Sequence, residues 1–255
     1  MTTIIGFKGY DPEMKKEYVL LAGDSRGTYL DKNGTITTKF SNVGEKILWS
    51  RNHDYFIGYS GNALEKNSQK GKNLEEKISN LVELENPSSK KIEEKLEEIN
   101  KCNPNNQYFF TTICDGKPFF NFYDSKLGLK EKISHGIIGS GMLYNENAKI
   151  KNPNGTLNKD ANLIEVNLDD GIRYSLEKLN KISNFDKMTG GYMGIAVLVD
   201  KKTSLYDPFF IEISNTLNQE KIIEQYLNAE RKFMKKAGLE GKKIRELLLL
   251  NSLNL

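Results

Sequence analysis

Apolar and polar positions change period several times along the chain, and each change marks a different element. Residues 2–8, Thr-Thr-Ile-Ile-Gly-Phe-Lys, are rich in β-branched and aromatic side chains and predict a strand. Residues 9–17 are polar and contain Asp11-Pro12, which reads as a loop. Residues 18–23 form a short continuous apolar run, the mark of a strand buried on both faces. Asp24-Ser25-Arg26-Gly27 follows as a turn, and Asn33-Gly34 is a hairpin signal. Residues 46–49 and 55–60 predict two more strands, the second ending at Gly61.

Between residues 62 and 100 the texture turns helical. Leu74, Ile78, Leu81 and Leu84 form one apolar stripe and Ile92, Leu96 and Ile99 another, with Pro87-Ser88-Ser89 between them. Strands resume at 108–113 and 119–123, joined through Asp115-Gly116. A further strand ends at Ile137-Ile138-Gly139-Ser140-Gly141, and the polar, turn-rich residues 145–160 read as a surface loop. A helix is expected over about 168–184, strands at 193–199 and 209–213, and one or two helices over 218–252. Blocks of strands alternate with blocks of helices, which predicts antiparallel sheets covered by helix layers.

Composition narrows the function classes. The 37 basic and 34 acidic residues are mixed along the chain and leave a net charge of only +3, so neither a nucleic-acid partner nor a basic binding face is expected. No apolar run approaches membrane-spanning length, and no signal segment is seen, which points to a cytoplasmic protein. Cys102 and Cys114 are isolated thiols that suit a reducing compartment. With no C-x-x-C pair and only His53 and His135, neither a metal nor a cofactor is expected.

The N-terminus carries the first candidate chemistry. Removal of Met1, expected before a small residue, makes Thr2 N-terminal. Its hydroxyl and its own α-amine, which titrates near ~8, then sit on one residue, so the amine can accept the hydroxyl proton. Read alone, Gly23-Asp24-Ser25-Arg26 is a polar turn, Lys46 a surface lysine and Ser60-Gly61-Asn62 a strand–helix junction.

Taken in order, Thr2-Thr3-Ile4, Ala22-Gly23-Asp24-Ser25-Arg26, Lys46-Ile47 and Tyr59-Ser60-Gly61-Asn62-Ala63 resemble the proteasome β-subunit family, which includes the peptidase of the bacterial heat-shock ATP-dependent protease. Gly139-Ser140-Gly141 and Asp186-Lys187-Met188-Thr189-Gly190-Gly191 extend the resemblance to about residue 200. It implies an N-terminal-nucleophile fold of α+β class, an αββα sandwich over 2–215 with a helical extension at 216–255. It also implies a threonine-type peptidase in which Thr2 attacks the scissile carbonyl. Lys46 lowers the pKa at the nucleophile, Asp24 pairs with Lys46, and the Gly61 N–H faces the oxyanion. Ser140, Asp186 and Thr189 orient the α-amine. Substrates would be peptides or unfolded polypeptides, the assembly a homo-oligomeric ring, and an ATP-dependent unfoldase a partner. Thr189 stands where serine is commoner in the family, and residues 9–17, 29–44 and the C-terminal tail are longer than its pattern. Two other readings remain open: an amidohydrolase or transpeptidase acting as a monomer, and a silent assembly subunit.

Overall fold

The computed structural model describes residues 2–12, 15–30, 36–41, 46–50, 55–61, 78, 80–85, 87–101, 105–145, 156–158, 163–200 and 203–213. In chain order the first strands are β1 (Thr3–Asp11), β2 (Lys16–Asp24), β3 (Gly27–Leu30), β4 (Ile36–Ser41), β5 (Ile47–Trp49) and β6 (Phe56–Ser60). Helix α1 (Ser89–Asn100) precedes β7 (Gln107–Cys114), β8 (Lys117–Asp124), β9 (Gly128–Lys130) and β10 (His135–Gly139). A 3-10 turn (Ser140–Tyr144), β11 (Thr156–Asn158) and β12 (Leu163–Glu165) lead to helix α2 (Leu168–Ser183), then β13 (Gly191–Asp200) and β14 (Thr203–Ile213).

The fold is mixed α/β. One sheet has seven strands in the order β11-β12-β1-β2-β13-β14, with β10 also paired to β1; another has the order β5-β6-β7-β8-β9; β3 and β4 form a separate hairpin. The pairing is antiparallel except for β1 with β12.

Period-two alternation decides where each apolar side chain goes. In β2, Val19 and Leu21 join Ile4, Phe56, Phe109 and Phe120 in a cluster drawn from both larger sheets. Leu20 and Ala22, on the opposite face, pack with Ile172, Leu176 and Leu179 of α2. The other face of the five-stranded sheet puts Tyr55, Ile57 and Phe110 against Ile92 and Leu96 of α1, together with Ile78 and Leu81. A strand buried on both faces must be apolar at every position, which is why residues 18–22 show no alternation. Each such side chain contributes roughly 1.5–3 kcal/mol on burial.

Both helices are capped as their sequences require. Ser88 Oγ accepts from the Lys91 N–H at the start of α1, and Asn167 Oδ1 accepts from Asp170 N–H at the start of α2. The last residue of β1 adds a second acceptor, since Asp11 Oδ2 takes the Leu168 N–H at 2.8 Å.

Several expectations are revised. Residues 9–17 are not an enlarged loop: β1 and β2 pair out to Asp11 and Lys16. Across the paired strands Glu17 forms a diagonal ion pair with Lys8 at 2.7 Å. Within 145–160, Thr156–Asn158 forms a short strand, too brief to give a periodic signal. β14 is longer than expected and includes Pro208, tolerated because β14 is an edge strand and its register shifts between Met193 and Ile195 of β13. Leu74 of the first helical stripe, the hairpin signal at Asn33-Gly34, His53, Cys102 and the whole 216–255 extension lie outside the described residues. Cys114 is exposed and free.

Candidate active site

Strand register brings the candidate residues together. β1 pairs with β2 so that Ile4 lies opposite Gly23, with β10 so that Thr3 lies opposite Gly139, and β2 pairs with β13 so that Asp24 lies opposite Met193. The start of β1, the end of β2, the end of β10 and the start of β13 therefore coincide at one edge of the seven-stranded sheet. In the other sheet, Ser60 at the end of β6 lies opposite Gln107 at the start of β7. Ser60 Oγ donates to the Thr2 carbonyl at 3.3 Å, which ties the two sheets together at this edge.

Thr2 and Asp24 are both buried. Thr2 Oγ1 donates to Asp24 Oδ1 and, at 3.2 Å, to the Asp24 carbonyl. The same carboxylate accepts the N–H groups of Thr3 at 2.7 Å, Gly190 at 3.0 Å and Arg26 at 3.3 Å. Burial pushes the Asp24 carboxyl up to about 6 from its ordinary 3.8. The Thr2 hydroxyl, the N–H groups of Thr3 and Gly190, and the charge of Lys46 pull the other way without cancelling it.

Thr3 points into a different network. Its hydroxyl lies 2.5 Å from Thr189 Oγ1 and accepts the Gly141 N–H at 2.9 Å. Asp186 Oδ2 accepts from both Ser140 Oγ and Thr189 Oγ1 at 2.6 Å, while Asp186 Oδ1 takes the Met188 N–H at 3.0 Å. The end of α2 delivers Asp186 here, because the Asp186 N–H continues the helix by donating to Ile182 O at 2.8 Å. The Ser140 N–H in turn donates to the Thr2 carbonyl at 3.1 Å.

Lys46 is half-buried just before β5. Its ammonium lies 5.6 Å from the centre of the Tyr59 ring, and its carbonyl accepts the Tyr59 N–H at 3.0 Å. The direct pairing of Asp24 with Lys46 is not formed among the described residues. The carboxylate is taken up by one hydroxyl and three N–H groups, and Lys46 acts on it as a charge at longer range. Gly61 follows Ser60 at φ +153°, where a Cβ would fall 1.7 Å from Asn106 Oδ1, so only glycine fits.

Sequence reasoning assigned no role to several residues of this site. Thr3 was the second half of a doublet. Arg26 donates through Nη1 to the carbonyls of Lys187 at 3.0 Å and Thr189 at 3.4 Å, clamping the loop after α2. Gly139, at φ +88°, would drive a Cβ to 1.7 Å from the Thr2 carbonyl. Gln107, the polar residue that opens an otherwise apolar strand, accepts the Gly139 N–H at 3.1 Å. Thr3, Arg26 and Gly139 lay inside the recognised motifs, whereas for Gln107 the signal was its place at a strand end.

Among the described residues no group of three or more His, Cys, Asp and Glu could hold a metal, and no helix is long and apolar enough to cross a membrane.

No protein-family model matches the chain, and no curated protein matches it. Among solved structures, Anbu from Hyphomicrobium sp. strain MC1 is similar in fold, with a TM-score of 0.56 and 12% identity over 95% of this chain and 99% of that one. These findings correct the expected membership of the proteasome β-subunit family, the family that includes the heat-shock peptidase. At 12% identity the likeness to Anbu is a likeness of fold.

Proposed function

We propose that the chain is a peptide-bond hydrolase of the N-terminal-nucleophile class, with Thr2 as nucleophile once Met1 has been removed. The observation that carries this reading is the division of labour between adjacent threonines. The Thr3 hydroxyl is held between Thr189 and the Gly141 N–H, whereas the Thr2 hydroxyl faces a buried carboxylate. The fold shared with Anbu, a proteasome-like member of that hydrolase class, supports it at the coarser level. On this reading the two sheets and their helices form an αββα sandwich.

The reaction divides into two acyl transfers. Thr2 Oγ1 gives its proton to the freed α-amine and forms a bond to the scissile carbonyl carbon. The tetrahedral oxyanion is met by a backbone N–H at Gly61, and the C–N bond breaks as the amine proton passes to the leaving nitrogen. Water then attacks the Thr2 ester and releases the carboxylic acid, regenerating hydroxyl and amine. The charge of Lys46 favours loss of the hydroxyl proton, and Asp24 orients the hydroxyl. Ser140, Asp186 and Thr189 hold the chain around Thr2 through Thr3 and the Thr2 carbonyl.

The test is covalent. An α′,β′-epoxyketone peptide needs a hydroxyl and a free amine on one residue, so intact-mass and peptide mapping should find a morpholine adduct on a Met1-less N-terminal peptide. A Met1-less protein that stays unlabelled and leaves unfolded polypeptide uncleaved ends the proposal. A ring assembly of identical chains belongs to the same reading and is tested by solution mass.

A further inference from the structure

We propose that Gln107 and Asp124 form an amide relay that positions the nucleophile from the opposite sheet, an inference that rests on the reading of Thr2 above. Gln107 lies opposite Asp124 in the β7–β8 ladder. Its Nε2 donates to Asp124 Oδ2 at 3.0 Å, and its Oε1 accepts the Gly139 N–H at 3.1 Å. The other carboxylate oxygen, Asp124 Oδ1, is held by the Lys126 N–H at 2.8 Å and the Leu127 N–H at 3.2 Å in the turn before β9.

The chemistry of each partner fixes the direction of the relay. A carboxylate only accepts and a backbone N–H only donates, so the Gln107 amide has one orientation that satisfies both ends. Beyond Gly139 the chain of contacts is short. The Gly139 Cα packs against the Thr2 carbonyl so closely that a Cβ would sit 1.7 Å from that oxygen and 2.6 Å from Ser60 Oγ. The next residue, Ser140, donates its N–H to the same carbonyl at 3.1 Å. A shift of Gly139 is therefore transmitted to the residue whose hydroxyl and amine must meet the substrate. Gln107 and Asp124 reach the reacting atoms only through Gly139 and Ser140, so both are positioning residues.

The relay is tested by exchanging its chemistry while keeping its shape. In Q107E two carboxylates face one another. In D124N the new amide keeps its oxygen on the turn N–H groups and offers a donor to Gln107, so the Gln107 amide turns over and sets its own donor against the Gly139 N–H. In the double variant Q107E/D124N the new amide donates to the new carboxylate, whose second oxygen again accepts from Gly139. The Met1-less full-length protein is labelled with the epoxyketone peptide, and the Gly139 amide is followed by NMR. Each single variant is expected to slow labelling on the order of 10-fold or more at unchanged reagent affinity. The double variant should return to within ~3-fold of wild type, as expected for directly coupled neighbours. If wild type labels and all three variants label at its rate, the relay is overturned. If a single variant fails to fold and the double variant folds and labels, the relay is supported. If wild type itself does not label, the nucleophile reading fails. The relay is then judged by the Gly139 amide shift: displaced in both single variants and restored in the double supports it, while an unmoved shift overturns it.

Discussion

Thr2 and Thr3 are the same residue type, adjacent and both buried, yet they face opposite halves of the site. Thr3 is held by the Gly141 N–H of the 3-10 turn and the Thr189 hydroxyl of the loop after α2, in a network that Ser140 and Asp186 complete. Thr2 shares its side with a carboxylate that burial holds near pH 6 and with the charge of Lys46. The difference teaches that strand alternation alone can send the two hydroxyls of one doublet into separate networks, the contrast on which the proposed chemistry rests.

Five substitutions break or sharpen that contrast. The largest effect is expected from T2A, which should abolish epoxyketone labelling and lower peptide hydrolysis at least ~10³-fold, while melting shows a loss of only about 1 kcal/mol. T2S should keep both activities.

D24N comes next, with hydrolysis reduced about 100-fold because the hydroxyl loses its orientation. It also carries a stability signature. The Asp24 carboxyl is raised in the folded protein, so its contribution is fully present below the unfolded value near 3.8 and is lost as pH rises through about 6. Wild type should lose roughly 3 kcal/mol across that window in denaturant titrations, a slope that D24N should flatten.

T3V should invert the pattern of T2A. It leaves the Gly141 N–H and the Thr189 hydroxyl without their shared partner, at a cost of about 2 kcal/mol seen as a lower Tm, while epoxyketone labelling persists. The smallest effect is expected from S140A, about 1 kcal/mol, because Asp186 keeps Thr189 and the Met188 N–H and the Ser140 N–H still reaches Thr2. A labelling loss in T3V as deep as that in T2A would erase the division between the two threonines.

The parts of the fold that were legible in the sequence are those with a local cause. Residues 18–22 had to be apolar at every position because the strand is buried on both faces, and α2 shows its stripe at Leu168, Ile172, Leu176, Leu179 and Ile182. The continuation of β1 to Asp11 and of β2 back to Lys16 was hidden because an ion pair such as Lys8–Glu17 looks in sequence like two solvent-facing charges. Short motifs at strand ends pointed to one site because this register gathers strand ends at one edge. That geometric origin also accounts for motifs that resemble one family in a chain whose likeness to Anbu, at 12% identity, is one of fold. Gln107 was invisible for a related reason: its partners come from β8 and β10, and a polar residue opening a strand is ordinarily solvated.

The hydroxyls of Thr3 and Thr189 meet across 186 residues of chain. At ~5–20 residues per second of synthesis, the N-terminal threonines are made roughly 10–40 s before the loop that completes their surroundings. During that interval the proposed nucleophile has no assembled pocket, so on that reading a nascent chain does not begin its chemistry on itself or on its neighbours. The proposed catalytic competence thereby becomes a timer that starts only when the last elements of the site have been translated and docked.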